Sequence, residues 1–328
     1  MVVLLGNYPI ANVHAVSALI WEMLDNSVEK SDQLSDLEST RFSLAFSAPT
    51  TRGLDQRRWT VFECGACGCQ FINPQPSWQE LQFYYNSEYV AYDPMHGSTG
   101  SDDQEVEKAK RTGIIRFIPV PTGLRLLDVG CRGGWFLRIC QKLGTNAQGV
   151  EPSKLAAEMV QKQGLQVFNG TLEEYAEHVP SDTKFDVITA SHFIEHLPDP
   201  VETFRTMKRL LAPGGYIWIA VPNAAYPIAR ALRGKWHSSD LSYHLMHFSR
   251  SSMAEAGRRA ELKVRRQMTE SQLPHVAASM RQFLRHRCFV PQRLTLKFGL
   301  VDVPAKWYAR HVDAKGIGEG LLTEFIAD

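Results

Sequence analysis

The sequence predicts an α/β fold: a doubly wound, mostly parallel seven-stranded sheet with a small N-terminal cap module. Three observations predict it. From Leu124 onward, short apolar runs alternate with helical segments. The first run ends on an aspartate and opens into a glycine-rich loop, "LLDVGCRGG". The loop leads directly into a helical pattern, as it does where a strand, a turn and a helix form one βαβ unit. Sheets built from such units are covered on both faces, so their strands are apolar runs rather than alternating ones.

Strands are expected at 125–129, 147–151, 165–168, 185–190 and 216–221. Helices are expected between them at 134–143, 153–163, 171–178 and 200–211. Runs at 262–268 and 321–327 complete the sheet. Between those last two lies "PHVAASMRQFLRHRCFVPQRLTLKFG", basic and helix-prone, which is too long for a simple connection. It reads as a helical insertion at about 270–316: a lid, a substrate element or a partner surface. The chain therefore divides into 1–58, a helical segment over 11–30 with a polar linker; 59–103, a cap built on a cysteine knuckle; and 104–328, the main domain opening with a helix over 104–117.

Composition narrows the function. The 328 residues leave room for a sizeable core, and the net charge is +1. A balanced charge argues against a broad grip on nucleic acid or anionic lipid. The N-terminus lacks a basic signal-peptide start, and no apolar stretch has membrane-spanning length. Six cysteines, three of them crowded at 64, 67 and 69, make no disulfide framework. The expectation is a cytoplasmic protein acting on a small molecule, with no nucleic-acid partner.

In doubly wound folds, ligands bind outside the carboxyl ends of the strands. "DVGCRGG" stands at such an end. Gly130 and Gly134 permit a left-handed backbone or close ligand approach. Glu151 ends the next strand, where an acidic side chain can hold the two hydroxyls of a ribose. The dinucleotide pattern G-x-G-x-x-G is broken, with Arg132 and Trp135 at its second and third glycines. A phosphate loop ending in G-K-[ST] is absent. A nucleoside without phosphates fits best.

"LLDVGCRGGWFL", "GVEPS", "FDVITASHFIEHLPDP" and "LLAPGGYIWIAVPN", in this order, resemble a class I S-adenosylmethionine-dependent methyltransferase. The resemblance covers roughly 124 to 268 and is closest to ubiquinone-pathway, sugar and natural-product methyltransferases with a Rossmann-like domain. It implies S-adenosyl-L-methionine as cofactor and S-adenosyl-L-homocysteine as product. Asp128, Gly130 and Gly134 would shape the methionine end of the pocket. Glu151 would hold the ribose, Thr171 and Leu172 would flank the adenine, and Ser191 and His192 would line the floor near the sulfonium. The chain has Asn169–Gly170–Thr171 where the family often has an aspartate. Arg132 would be repelled by a sulfonium. It would be tolerated pointing to solvent, the simpler expectation, or paired with the cofactor carboxylate.

"SHFIEH" supplies His192, Glu195 and His196. On a helix, His192 and His196 would share a face. Three readings stand open. His196, or His192, is a general base for an alcohol or phenol acceptor. The group holds a divalent metal, as the related E-x-x-E-H pattern allows, although imidazole suits softer ions. Or His196 is structural, and no metal is bound. His244, in a loop that also carries Trp236, His237, Tyr243 and His247, is the second candidate for base or substrate contact. Ser249–Ser251 are expected to cap the helix after that loop.

"FECGACGCQF" resembles half of the N-terminal zinc ribbon in such methyltransferases. Residues 1–63 contain no cysteine to complete it. Zinc on Cys64, Cys67 and Cys69, with His14 or His96 as fourth ligand, is possible on ligand chemistry. The preferred expectation is a metal-free module that packs by its aromatics, with Tyr84, Tyr85, Tyr89 and Tyr92 near the acceptor. Two functions follow: an S-adenosylmethionine-dependent methyltransferase, most simply an O-methyltransferase of a small metabolite, or an inactive partner protein that keeps the fold.

Overall fold

The computed structural model describes residues 42–49, 57–76, 80, 102–112, 114–241, 243–292 and 301–327. The expected helix at 11–30, the tyrosines at 84–92 and the histidines at 14 and 96 lie outside them.

The main sheet has the order β10-β11-β8-β7-β4-β5-β6. Its strands are β4 (Arg125–Val129), β5 (Asn146–Glu151), β6 (Val167–Asn169), β7 (Phe185–Ser191), β8 (Leu211–Pro222), β10 (Lys263–Glu270) and β11 (Gly320–Ile326). β4 pairs in parallel with both β5 and β7, and β7 with β8. β11 runs antiparallel to β8 and to β10. The expected doubly wound, seven-stranded sheet is thus present. β8 begins well before the expected 216, because the Pro213–Gly214–Gly215 turn is already inside the strand.

Helices cover both faces, and their starts are written in the sequence. α1 spans Asp102–Thr112 and α2 spans Trp135–Lys142. α3 (Lys154–Lys162) is capped by Ser153, whose hydroxyl accepts the Ala156 N–H. α4 (Leu172–His178) opens on a capping box between Thr171 and Glu174. α5 (Pro200–Leu210) starts with proline at its first turn behind Asp199. α6 (Pro227–Leu232) and the turns at 233–239 follow β8. α7 (Arg250–Arg259) is capped by Ser249, as expected. α8 (Leu273–Arg287) and α9 (Asp302–Ala314) lie in the segment read as an insertion. One core cluster unites Leu127, Val129, Ile188, Ile217, Ile219, Phe204 and Phe325, all essentially water-free. Burying side chains of this size contributes about 1.5–3 kcal/mol each relative to exposure.

The cap sheet, β1-β2-β3-β9, departs from the expectation twice. β1 (Phe42–Pro49) forms within the segment read as linker, antiparallel to β2 (Arg58–Cys64). β3 (Gln70–Ile72) then pairs with β9 (Met246–His247), a strand supplied by the main domain. The cap is therefore stitched to the loop after β8 by backbone hydrogen bonds. Phe71 anchors it, edge-on to Phe42 at 5.4 Å and stacked with Phe62 at 6.1 Å.

Candidate active site

The strand order reverses at β4, between β5 and β7, so the crevice beyond its carboxyl end is the topological switch point. Two acidic side chains sit at its base. Asp128, 5% exposed, accepts the Thr189 Oγ1–H at 2.6 Å. Burial pushes its carboxyl up to about 7, with the neighbouring Glu151 adding to the rise and Arg132 opposing it. Glu151, 2% exposed, accepts the Arg132 N–H on Oε2 and the Ser153 N–H on Oε1, both at 2.8 Å. Burial raises its pKa too, against those two backbone donors. Each Glu151 oxygen keeps a lone pair for a further donor.

The two loop glycines do different work. Gly130 has φ 73°, and a Cβ there would stand 2.3 Å from Phe193 Cδ2. Gly134, φ 77°, precedes α2 and packs against Val160 and Leu165, so it serves helix packing. Arg132 does not point away into solvent. Its Nη2 donates to the His192 carbonyl at 3.3 Å, bridging the crevice from the β4 loop to the β7 tip.

On the far side, Thr171 spends its backbone N–H and its hydroxyl on Glu174 in the capping box. Leu172 is buried in the main core. Asn169 donates to the Glu151 carbonyl at 2.9 Å, tying β6 to the base of the crevice.

Beside the crevice lies a cavity of about 110 Å³. Ser191, His192, Trp218, Phe117, His275 and Glu319 are among its lining residues. His192 stands at the end of β7 with φ 52°, a left-handed backbone for a non-glycine residue. The expected α-helix over 192–196 is instead one 3-10 turn, Ile194–His196. His192 and His196 consequently do not share a helix face.

His196 and His244 are not among the residues that line the cavity, and each is 7% exposed. His196 Nδ1 donates to the Tyr243 carbonyl at 3.0 Å, and His244 Nδ1 to the Ser238 carbonyl at 3.0 Å. A carbonyl only accepts, so each Nδ1 carries the proton. Burial pushes His196 down to about 4 despite Glu195, and pushes His244 well below its ordinary range. His247 donates Nε2–H to the Ser239 carbonyl at 2.8 Å. Glu195, His196 and His244 each bring one ligand atom within 4.8 Å of the others, the one such group among the described residues.

Sequence reasoning missed Glu319 and His275. Nothing local marks either residue; their association requires the fold. Glu319, 4% exposed, lies 3.3 Å from His237 Nε2 and 3.9 Å from His275 Nδ1.

The cysteines make no three-ligand group among the described residues. Cys64 and Cys67 hydrogen-bond to each other, which with backbone donors lowers Cys64 to about 5 against the effect of burial. Cys69 is buried and pushed up to about 12. The knuckle is fixed by the Ser251 hydroxyl, which donates to the Cys67 carbonyl at 2.9 Å.

A family model described as a methyltransferase domain matches residues 103–267, just over half of the chain. The chain belongs to this methyltransferase-domain family. The class I S-adenosylmethionine-dependent resemblance is borne out, and the methyltransferase's crevice fits that cofactor. Two buried carboxylates with raised pKa suit a ligand carrying positive charge and hydroxyl donors. A ubiquinone biosynthesis O-methyltransferase of Aeromonas salmonicida is 35% identical over 107 residues, covering 31% of this chain and 44% of that one. One of the same name from a Caulobacter species is 38% identical over 107 residues, covering 31% and 42%. The chain thus spans less than half the length of these curated relatives. The crystal structure of a SAM-dependent methyltransferase from Archaeoglobus fulgidus is 16% identical, covers 76% of this chain and 99% of its own, and has a TM-score of 0.46. No helix among the described residues is long and apolar enough to cross a membrane.

Proposed function

We propose that the protein transfers a methyl group from S-adenosylmethionine to an oxygen of a small molecule, a sugar or phenolic metabolite. The observation that carries the reading is the pair of buried carboxylates, Asp128 and Glu151, at the switch point beside a small cavity. The names of the related O-methyltransferases support oxygen as the acceptor.

The cofactor, when bound, supplies an activated methyl group on a positively charged sulfur. The chain's residues then have defined tasks. Glu151 accepts hydrogen bonds from the ribose hydroxyls while its backbone donors hold it in place. Ionised Asp128 balances the cofactor's positive charge across the buried crevice. Arg132 releases the His192 carbonyl and pairs with the cofactor carboxylate. Ser191 and His192 border the acceptor, and the cavity walls keep it oriented and shielded from water. His196, which burial pushes down to about 4, is a poor proton acceptor at neutral pH.

One observation favours a second reading, an inactive partner protein: the Arg132 guanidinium is already engaged with the His192 carbonyl, linking the β4 loop to the β7 tip. Incubation with methyl-labelled S-adenosylmethionine and a panel of catechols and sugars separates the two. The enzyme reading expects label in an alkali-stable ether on at least one acceptor, lost in Glu151→Ala. No transfer to any acceptor, with cofactor bound, favours the partner protein.

A further inference from the structure

Three segments of the C-terminal elaboration converge on one buried carboxylate. Glu319 directly precedes β11, with its backbone locked on both sides. Its carbonyl accepts the Asn223 N–H at 2.8 Å, and its own N–H donates to Ser271 Oγ at 3.0 Å. The side chain points among groups from the turns at 233–239 and from α8. Ser279 Oγ donates to Glu319 Oε1 at 3.3 Å and itself accepts the Trp236 indole N–H at 3.0 Å. His237 Nε2 lies 3.3 Å from Oε1, and His275 Nδ1 3.9 Å from Oε2. A carboxylate with a nearly buried side chain is stable in this setting only with such partners.

His275 differs from the other partners. Its side chain is 55% exposed, and it lines the cavity that also holds His192 and Ser191. With Nδ1 turned to Glu319, its Nε2 is the ring atom left for a ligand. Burial pushes His275 down, Glu319 pulls it up, and His237 and His192 push it down again. Glu270, at the end of β10, lines the same cavity but is held by Arg116.

We infer that His275 is the base that activates the acceptor, and that Glu319 is the residue that positions it. The inference rests on the O-methylation reading above. As the acceptor oxygen forms its bond to the methyl carbon, the carbon–sulfur bond breaks and its electron pair leaves with the sulfur. The acceptor O–H proton passes to His275 Nε2. Glu319 stabilises the resulting imidazolium, and the 3.9 Å gap closes to a charged hydrogen bond. His275 then releases the proton to solvent, to which it is half open. The arrangement is a carboxylate–histidine pair, in which the carboxylate sets the imidazole's tautomer and orientation.

The test uses 4-nitrocatechol, whose visible absorbance reports its own ionisation, bound to the full-length protein saturated with S-adenosylhomocysteine. At a pH where the free probe is almost wholly un-ionised, the wild type is expected to bind it as the phenolate. His275→Ala, a half-exposed position that should not disturb folding, is expected to reduce the ionised fraction at least tenfold. Glu319→Gln is expected to move the midpoint of the bound probe's ionisation upward while leaving homocysteine-cofactor affinity unchanged, which a merely structural role would not do. If Glu319→Gln does not fold, Ser279→Ala, which removes one donor to Oε1 and leaves the carboxylate a stronger partner for the imidazolium, is expected to move that midpoint downward instead. An ionised spectrum that survives His275→Ala, or a probe bound un-ionised or not at all by the wild type, overturns the inference. Absence of S-adenosylhomocysteine binding in the same samples would instead overturn the methyltransferase reading on which it rests.

Discussion

Arg132 and His192 meet across the crevice, guanidinium to carbonyl at 3.3 Å, and both have a left-handed backbone, with φ 50° and 52°. Non-glycine residues in that region cost on the order of 1–3 kcal/mol each, so the surrounding fold must hold them there. The Arg132 N–H bond to Glu151 is part of that hold.

If Arg132 exchanges the carbonyl for the cofactor carboxylate, its loss should be felt only by ligands that carry one. Arg132→Gly is expected to weaken S-adenosylhomocysteine about tenfold to a hundredfold, the value of a charged hydrogen bond. Methylthioadenosine, which has no carboxylate, should bind wild type and variant alike. Calorimetric titration of both ligands decides this. Tighter S-adenosylhomocysteine binding in the variant would show that Arg132 obstructs the site.

Asp128 makes cofactor binding pH-dependent. Its folded-state pKa is raised from an ordinary 3.8 to about 7. The cofactor-free protein therefore holds an extra proton, and the stability this confers at low pH is lost as pH rises through about 7. A cationic ligand favours the ionised carboxylate, so S-adenosylmethionine affinity should rise from about pH 6 to about pH 8, with up to about one proton released on binding. Asp128→Asn should flatten that slope. An equally steep slope in the variant would assign the proton to another group.

Glu151 has two duties, so its removal should show twice. Glu151→Ala leaves the Arg132 and Ser153 N–H groups without their acceptor in a buried site, expected to cost about 1–3 kcal/mol for each left unsatisfied. A lowered unfolding temperature would register this. The variant should also lose S-adenosylhomocysteine affinity by more than tenfold. Glu151→Gln keeps one acceptor oxygen and should recover part of the stability.

Gly130 is sterically committed. Gly130→Ala would place its Cβ 2.3 Å from Phe193 Cδ2 on a backbone with φ 73°. A loss of about 1–3 kcal/mol is expected from overpacking alone. Adding Phe193→Ala should return the steric part but not the backbone part, and a denaturation series on the single and double variants measures both. Equal stability of Gly130→Ala and wild type would mean that Phe193 has room to move.

Asp128 and Glu151 were legible because a strand tip fixes where a residue stands, and the apolar runs before them identify the tips. The same runs located β7 and the central part of β8. β1 escaped notice because "FSLAFSAP" has no clean alternation and only Ala48 within it is buried. The turn at Ile194–His196 escaped because residue spacing alone does not separate a 3-10 turn from an α-helix. His196 and His244 carry the conspicuous letters, and each is buried with its Nδ1–H donated to a backbone carbonyl. Glu319 and His275 are 44 residues apart, and no local pattern joins them. Only the antiparallel return of β11 beside β8 and the packing of α8 bring them to one cavity.

The most direct measurement of the central claim is a calorimetric titration of the wild-type protein with S-adenosylmethionine near neutral pH. The account predicts saturable one-to-one binding that Glu151→Ala weakens more than tenfold. No heat up to millimolar ligand, or binding that Glu151→Ala leaves untouched, would contradict it.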